Sequence, residues 1–322
     1  MDQKPDNAEV AVSFQAEFLQ CWEQLPNKGL FFSLLAAWLL LFHFLGSCTF
    51  GYIDTPSLLN WMYNAYNNGD KSDEHGMYVP ILVLVLFWWK RKELLALPNR
   101  LWSPGLLLLA AALLLHLVGY VVQQQRISIV ALFIGIYALI GLTWGPAWLR
   151  SSFFPVFLFV FCIPIATIGE PVTFPLRIMV SEIVVVVSQV LGLNVLREGT
   201  QLFNGAHTYA YEVAAACSGL RSTVAIICIS TVYGFVAFER KWKRTLIIAA
   251  AFPLAVASNV VRMMCIVIAA EAGGQPWGNF VHENWFFSLV PYVPAIIGVL
   301  VLGHWLRERQ PDVVLPLEAK PA

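Results

Sequence analysis

The stretch Leu246–Ala269 reads LIIAAAFPLAVASNVVRMMCIVIA, and Arg262 is its only charged residue. A helix of about 20 apolar residues is long enough to cross the hydrocarbon core of a bilayer. The rest of the chain has the same character, because 58% of its 322 residues are hydrophobic and only 12% are charged. This composition excludes an ordinary soluble domain and predicts a polytopic membrane protein.

Seven further apolar runs accompany this stretch. They lie at about 30–50, 77–89, 104–122, 127–145, 148–169, 222–238 and 285–305. The run at 77–89 is short, but Trp88, Trp89 and the basic residues 90–92 close it, as at a membrane interface. We therefore predict an all-α fold with about eight transmembrane helices.

The segment Phe174–Leu193 is apolar enough to suggest a ninth span, but Arg177 and Glu182 interrupt it. A ninth span would also move the basic residues 240–244 to the outer side, against the positive-inside rule. Eight spans instead place fourteen of the twenty Lys and Arg residues on the cytoplasmic side and five outside. We predict an interfacial or re-entrant helix on the outer face here, then a short irregular or β-like stretch through Tyr211.

This topology puts both termini in the cytoplasm and divides the chain into three parts. Residues 1–29 form a cytoplasmic N-terminal segment, 30–305 a single transmembrane domain, and 306–322 a cytoplasmic tail. Because the polar N-terminal segment has no signal-peptide layout, the first apolar run is expected to remain as an anchor. We expect no appended soluble domain.

Charge and cysteine content narrow the function classes. The formal net charge is +0, so no bulk field points to a nucleic acid partner. No Cys-x-x-Cys pair occurs, so the sequence predicts no disulfide framework, metal site or cofactor. The cysteines are Cys21, Cys48, Cys162, Cys217, Cys228 and Cys265. Five are predicted to be packing residues, and Cys217 is the exception.

Three chemically reactive or costly residues share one predicted depth on the outer side. Cys217 precedes the span at 222–238, Arg262 lies within its neighbour, and His282 precedes the last span. An arginine inside a bilayer costs at least about 2.5 kcal/mol unless it is paired or faces a polar cavity. A thiolate can attack a peptide carbonyl, arginine can stabilise the resulting oxyanion, and histidine can transfer the proton.

Several neighbours could support this chemistry. Arg221, one turn beyond Cys217, would help lower the pKa of the thiol from its ordinary value of about 8.5. Gly219 and the following helix start can supply backbone N–H donors. Asn259 shares a helix face with Arg262 and can orient it. Two structural alternatives stay open, in which His282 is an interfacial polar cap and Arg262 is a partner of Glu271.

The same residues resemble the exosortase/archaeosortase family. Its pattern is matched by Ala216-Cys217-Ser218-Gly219-Leu220-Arg221-Ser222, by Asn259-Val260-Val261-Arg262, and by the later His282. His75-Gly76 is similar to a His-Gly element that opens an early span in the family. The resemblance extends from about residue 30 to 305, and the cysteine motif is its most specific part.

The resemblance implies a multi-pass cysteine transpeptidase of the bacterial or archaeal cytoplasmic membrane, with its active site on the extracytoplasmic side. Its substrates would be exported proteins with a C-terminal signal of PEP-CTERM type: a short motif, one membrane helix and a basic tail. Cys217 would cleave at the motif and hold the product as a thioester. A glycolipid, an exopolysaccharide component or water would resolve it. The family's arginine is also proposed as a proton donor, but arginine keeps its proton in proteins, which favours charge stabilisation by Arg262.

Two other functions remain compatible with the residues. A transporter or flippase would bind an anionic substrate at Arg262 and leave Cys217 without a role, although no pairing of similar halves is evident. An assembly scaffold in an envelope system would use the polar membrane residues for packing. In that case Cys217→Ser would have little effect.

Overall fold

The computed structural model describes residues 13–51, 53–68, 73–165, 170–212, 220–289 and 292–307, and helices dominate them. The α-helices are α1 Phe14–Gln24, α2 Lys28–Phe44, α3 Leu58–Tyr66, α4 Val79–Trp89, α5 Arg91–Leu95, α6 Gly105–Val121, α7 Gln125–Trp144, α8 Pro146–Phe157, α9 Glu170–Val190, α10 Leu220–Ala237, α11 Lys241–Glu283, α12 Trp285–Ser288 and α13 Tyr292–Trp305. Two 3₁₀ helices cover Glu74–Met77 and Leu158–Cys162, and the strands are β1 Val195–Glu198, β2 Gln201–Asn204 and β3 Ala210–Glu212.

Two compact units divide the chain, the first taking Met1–Asn67 and Glu74–Pro164 and the second Asn68–Asp73 and Ile165–Ala322. The first is built on the antiparallel helices α6 and α7, with α2 packed against α7. Trp38 of α2 is buried and donates a hydrogen bond to the Leu132 carbonyl of α7 at 3.0 Å. His116 of α6 is also buried and is hydrogen-bonded to Ser128 of α7 at 3.1 Å, so it is a packing residue between these two helices.

Helix α1 lies in the segment that the sequence assigns to the cytoplasm, and it meets α2 at 90°. Its aromatic residues Phe14 and Phe18 pack on Trp88, next to an ion pair between Glu17 and Arg91. Hydropathy alone does not reveal this helix, because polar residues lie between its apolar residues in the sequence and lower the mean hydropathy. Its exposed aromatic side is typical of a helix lying along a membrane surface.

The second unit combines α9, a small sheet and α11. The sheet is antiparallel in the order β1-β2-β3, with Leu202 opposite Tyr211. This confirms the β-like stretch expected before Cys217. The sheet and α9 share one buried core with α11, composed of Val180, Val184, Val195, Leu202, Tyr209, Tyr211, Met263, Met264, Ile266, Val267 and Ala270. The core therefore fixes β3 against the helix that carries Arg262.

Each of the eight predicted apolar runs contains a helix, which supports a helical membrane protein. Among the described residues, α7 and α11 are long and apolar enough to cross a bilayer by themselves, and α1 with α2 adds a third if that bent pair is one span. The remaining apolar helices are shorter: Glu74–Trp89, Gly105–Val121, Pro146–Cys162, Ser222–Ala237 and Tyr292–Trp305. Eight spans, cytoplasmic termini and one domain over 30–305 stay predictions.

Candidate active site

Helices α10 and α11 form an antiparallel pair whose register locates the N-terminus of α10. Gly234 of α10 faces Ile247 of α11, and Ile226 packs on Ala255 further along. Leu220 is fourteen residues before Gly234 on α10, a rise of about 21 Å. Val261 is fourteen residues after Ile247 on α11, which is the same rise in the opposite direction of the chain. The first turn of α10 therefore lies level with Arg262.

The face of α11 at this level is polar although it is buried. Ser258 is 0% and Asn259 1% exposed, and Arg262 is half-buried one turn later. The Arg262 Nε is buried and has no hydrogen-bond partner among the described residues. Buried polar groups usually have partners, so an unsatisfied one needs an explanation, and a functional role is one such explanation.

A hinge in α11 reverses the direction of the helix, so that its last turns fold back toward Arg262. Gly273 and Gly274 leave the helical conformation, with φ −137° and ψ 16° at the first and φ 73° and ψ −173° at the second. Beyond the hinge, Gly278 approaches Ala270 so closely that a Cβ on Gly278 would lie 3.0 Å from the Ala270 side chain. Val281 consequently packs against the core that contains Met263.

The fold-back brings His282 into the electrostatic field of Arg262. Burial and the charge of Arg262 lower the pKa of His282, and the carboxylate of Glu283 opposes them. His282 lies beyond the hinge, and the predicted topology puts it between the spans at 246–269 and 285–305. A lowered pKa keeps the imidazole neutral at pH 7, the form that can accept a proton.

Glu271 has a different partner from the one considered in the sequence analysis. Its carboxylate accepts a hydrogen bond from the Tyr209 hydroxyl at 2.8 Å, and the described residues show no ion pair with Arg262. Nine residues separate Arg262 from Glu271, a rise of about 13 Å along a helix. Arg262 is therefore not held by Glu271.

Tyr211 is a residue that the sequence analysis did not single out. Its hydroxyl lies 2.9 Å from the Gln275 carbonyl and 3.1 Å from Asn279 Oδ1, just beyond the hinge. Its ring centroid is 6.4 Å from that of His282. The alternation Tyr209-x-Tyr211 indicates a strand with one buried aromatic face, but it does not indicate these partners.

A family model described as transmembrane exosortase (Exosortase_EpsH) matches residues 66–297. The chain belongs to the transmembrane exosortase family. The match covers most of the chain, including α9, the sheet, α10 and all of α11. No curated protein and no solved structure matches the chain.

The structure of this exosortase-family chain brings together some of the predicted site residues. Arg262, Asn259 and His282 lie in the second unit, around the start of α10. Cys217, Ser218 and Gly219 lie outside the described residues, between the end of β3 and the start of α10. The backbone of Arg221 belongs to the first turn of α10, but its side chain is not described.

His75 is described in the first unit of the exosortase-family chain, where it belongs to the 3₁₀ helix Glu74–Met77. The next residue, Gly76, is buried, and its carbonyl accepts a weak hydrogen bond from the Cys162 thiol at 3.6 Å. Tyr66 also donates to the Cys162 carbonyl at 2.5 Å. These contacts indicate that the His75-Gly76 element packs against the 3₁₀ helix Leu158–Cys162. A catalytic role for His75 stays a prediction.

Gly274→Ala is expected to destabilise the exosortase-family protein. The φ and ψ angles of Gly274 lie in a region open almost only to glycine, so an added Cβ should cost about 1–3 kcal/mol. A thermal unfolding midpoint below that of the wild type in detergent would show it. Gly29→Ala is the matched control, because a Cβ on Gly29 meets nothing within 4 Å. Equal midpoints for all three proteins would contradict a glycine-dependent hinge.

Proposed function

We propose that this protein is a membrane cysteine transpeptidase that cleaves C-terminal sorting signals of exported proteins. The observation that carries the proposal is the hinge of α11, which brings His282 to Arg262 at the level where α10 begins. Family membership adds a sorting role of the transpeptidase type. The proposal assigns the nucleophile to Cys217, oxyanion stabilisation to Arg262 and proton transfer to His282.

Chain connectivity supports the assignment of Cys217. Three peptide units separate Cys217 from Leu220, so their Cα atoms are at most about 11 Å apart. Leu220 itself begins α10 level with Arg262. A helix start also presents backbone N–H groups and the positive end of its dipole, both of which favour a thiolate and an oxyanion.

The chemistry has two halves. In the first, the Cys217 thiol transfers its proton to neutral His282, and the thiolate attacks the scissile peptide carbonyl. Arg262 stabilises the negative charge on the carbonyl oxygen, the C–N bond breaks, and protonated His282 returns the proton to the leaving amine. In the second, an acceptor hydroxyl, amine or water loses a proton to His282 and attacks the thioester, which releases the Cys217 thiolate.

The proposed substrate is the one that the family resemblance implies, and it fits the predicted topology. A signal of one short motif, one membrane helix and a basic tail leaves the tail in the cytoplasm and the motif at the outer face. Cleavage there requires a nucleophile at the outer end of a span, which is where the predicted topology puts Cys217. The acceptor is proposed to be a membrane lipid or a glycan of the envelope.

Trapping of the covalent intermediate tests the function directly. Tagged reporters that carry such endings, taken from exported proteins of the same genome, are co-expressed with the wild-type protein. We expect a shortened reporter and a reporter–enzyme adduct that hydroxylamine releases, because hydroxylamine cleaves thioesters. Reporters that all stay intact, or shortening that never passes through a hydroxylamine-sensitive adduct, would overturn the proposal.

A transporter is the second candidate, and the buried Arg262 Nε favours it independently, because an anionic ligand could satisfy that group. It predicts binding or transport of an anion that depends on Arg262 and is indifferent to Cys217. It also predicts no covalent adduct with any reporter. The adduct experiment therefore separates the two functions.

A further inference from the structure

The end of β3 is fastened to the hinge of α11 by a dense set of hydrogen bonds. Tyr211 contacts Gln275 and Asn279, and the backbone N–H of Ala210 donates to Gln275 Oε1 at 3.0 Å. Gln275 Nε2 also lies 3.2 Å from Asn279 Oδ1. The contacts of Ala210 and Tyr211 join residues 64 to 68 positions apart in the chain, so they fix two segments that local structure would leave independent.

Close packing leaves Tyr211 little freedom. The Tyr211 side chain is 7% exposed. A Cβ on Gly278 would lie 2.0 Å from the Tyr211 hydroxyl oxygen, so only glycine permits this approach. The ring then lies between the hinge and His282, whose ring is at an ordinary aromatic distance.

Tyr211 is linked to two proposed catalytic groups, to one by the chain and to the other by packing. Six residues further along the chain is Cys217, and across the ring is His282. A displacement of about 1 Å in a reacting group can cost a hundred-fold in rate. Tyr211 contacts the hinge, and the chain runs from it into the segment that carries Cys217. It can therefore set the distance between Cys217 and His282.

We propose that Tyr211 is a positioning residue that aligns His282 with the segment carrying Cys217, by anchoring the end of β3 to the hinge of α11. The inference rests on the proposed cysteine transpeptidase function. Tyr211 acts through its neighbours and does not take part in bond making or breaking.

Tyr211→Phe tests the role of the hydroxyl and preserves the ring. We expect turnover to fall about ten- to a hundred-fold while the reporter concentration at half-maximal rate changes little, because alignment and not substrate binding is lost. Tyr209→Phe is the matched control. It removes a buried hydroxyl from the same segment, but one bonded to Glu271 before the hinge. We expect it to retain most of the turnover.

Gly278→Ala tests the contact between Gly278 and Tyr211 by changing the residue on the α11 side. The new methyl group should displace Tyr211 and lower turnover by a similar factor. The double variant Tyr211→Phe/Gly278→Ala should be little worse than the poorer single variant, because both changes disrupt one contact. Fully multiplicative losses would show two independent effects and count against the inference.

A readout that does not need turnover separates this inference from the proposed function. The rate of Cys217 alkylation is followed against pH by peptide mass spectrometry. The wild-type midpoint is expected below the ordinary thiol value of about 8.5, and Tyr211→Phe, but not Tyr209→Phe, should raise it. Arg262, Glu283 and Tyr211 are among the groups that face His282.

The outcomes are distinct. Wild-type processing with unchanged turnover and an unchanged midpoint in Tyr211→Phe would overturn the positioning role and leave the function standing. Reporters left intact by the wild-type protein would overturn the function, and the alkylation midpoints would still decide whether Tyr211 positions Cys217.

Discussion

Cys217→Ala is expected to abolish reporter processing and adduct formation, with a loss of at least about a thousand-fold relative to the wild type. Alanine removes the only atom that can form the thioester. Cys217→Ser should be nearly as inactive, because a hydroxyl is a far weaker nucleophile than a thiol at neutral pH. The measurement is the fraction of tagged reporter shortened at matched enzyme levels in the membrane.

Cys265→Ser is the control for this prediction. Cys265 is half-buried on α11, one turn beyond Arg262, so the substitution changes a thiol close to the site without touching the proposed nucleophile. It should retain processing. Wild-type processing by Cys217→Ala would exclude the thioester mechanism and return attention to a transporter or a scaffold.

Arg262→Gln is expected to lower processing by about 10²–10³-fold, the usual loss when one oxyanion donor is removed. Arg262→Lys should recover only part of the rate, because an ammonium keeps the charge but lacks the planar fork of donors. Lys241→Gln is the control, since Lys241 is an exposed basic residue at the other end of the same helix. We expect it to process reporters normally.

Thermal stability distinguishes a catalytic role of Arg262 from a structural one. Because the buried Arg262 Nε lacks a partner among the described residues, neutralising the side chain should leave the unfolding midpoint unchanged or raise it. A variant that is inactive and also markedly less stable would indicate a structural arginine. Activity lost at undiminished stability would support the proposed role.

The pH dependence of processing is expected to reflect the interaction between Arg262 and His282. Processing requires neutral His282, so it should fall as pH drops through the pKa of that group, which lies below its ordinary value. Burial and the charge of Arg262 both lower this pKa, and Arg262→Gln removes the charge. The acidic limb of its residual activity should therefore shift to higher pH. An unshifted limb would argue against the pairing.

The three proposed catalytic residues come from the sequence. The cost of Arg262 in an apolar run singled it out without any structure, and the order of the runs predicts that Cys217, Arg262 and His282 lie on one side of the membrane. A short irregular or β-like stretch through Tyr211 was also predicted, and the sheet β1-β2-β3 forms there. The number of spans is harder to predict from the sequence. Hydropathy gives the length of an apolar run, but several of the helices that form in these runs are too short to cross a bilayer.

The sequence by itself determined the membrane class, the family pattern and the residues with reactive side chains, because these depend on composition and local spacing. Only the tertiary structure decided the hinge at Gly273-Gly274, the return of His282 to Arg262 and the bonds of Tyr211. The partners of Tyr211 are 64 and 68 residues away in the chain. No local pattern encodes such contacts, because they arise only when the sheet and both arms of α11 pack around one core.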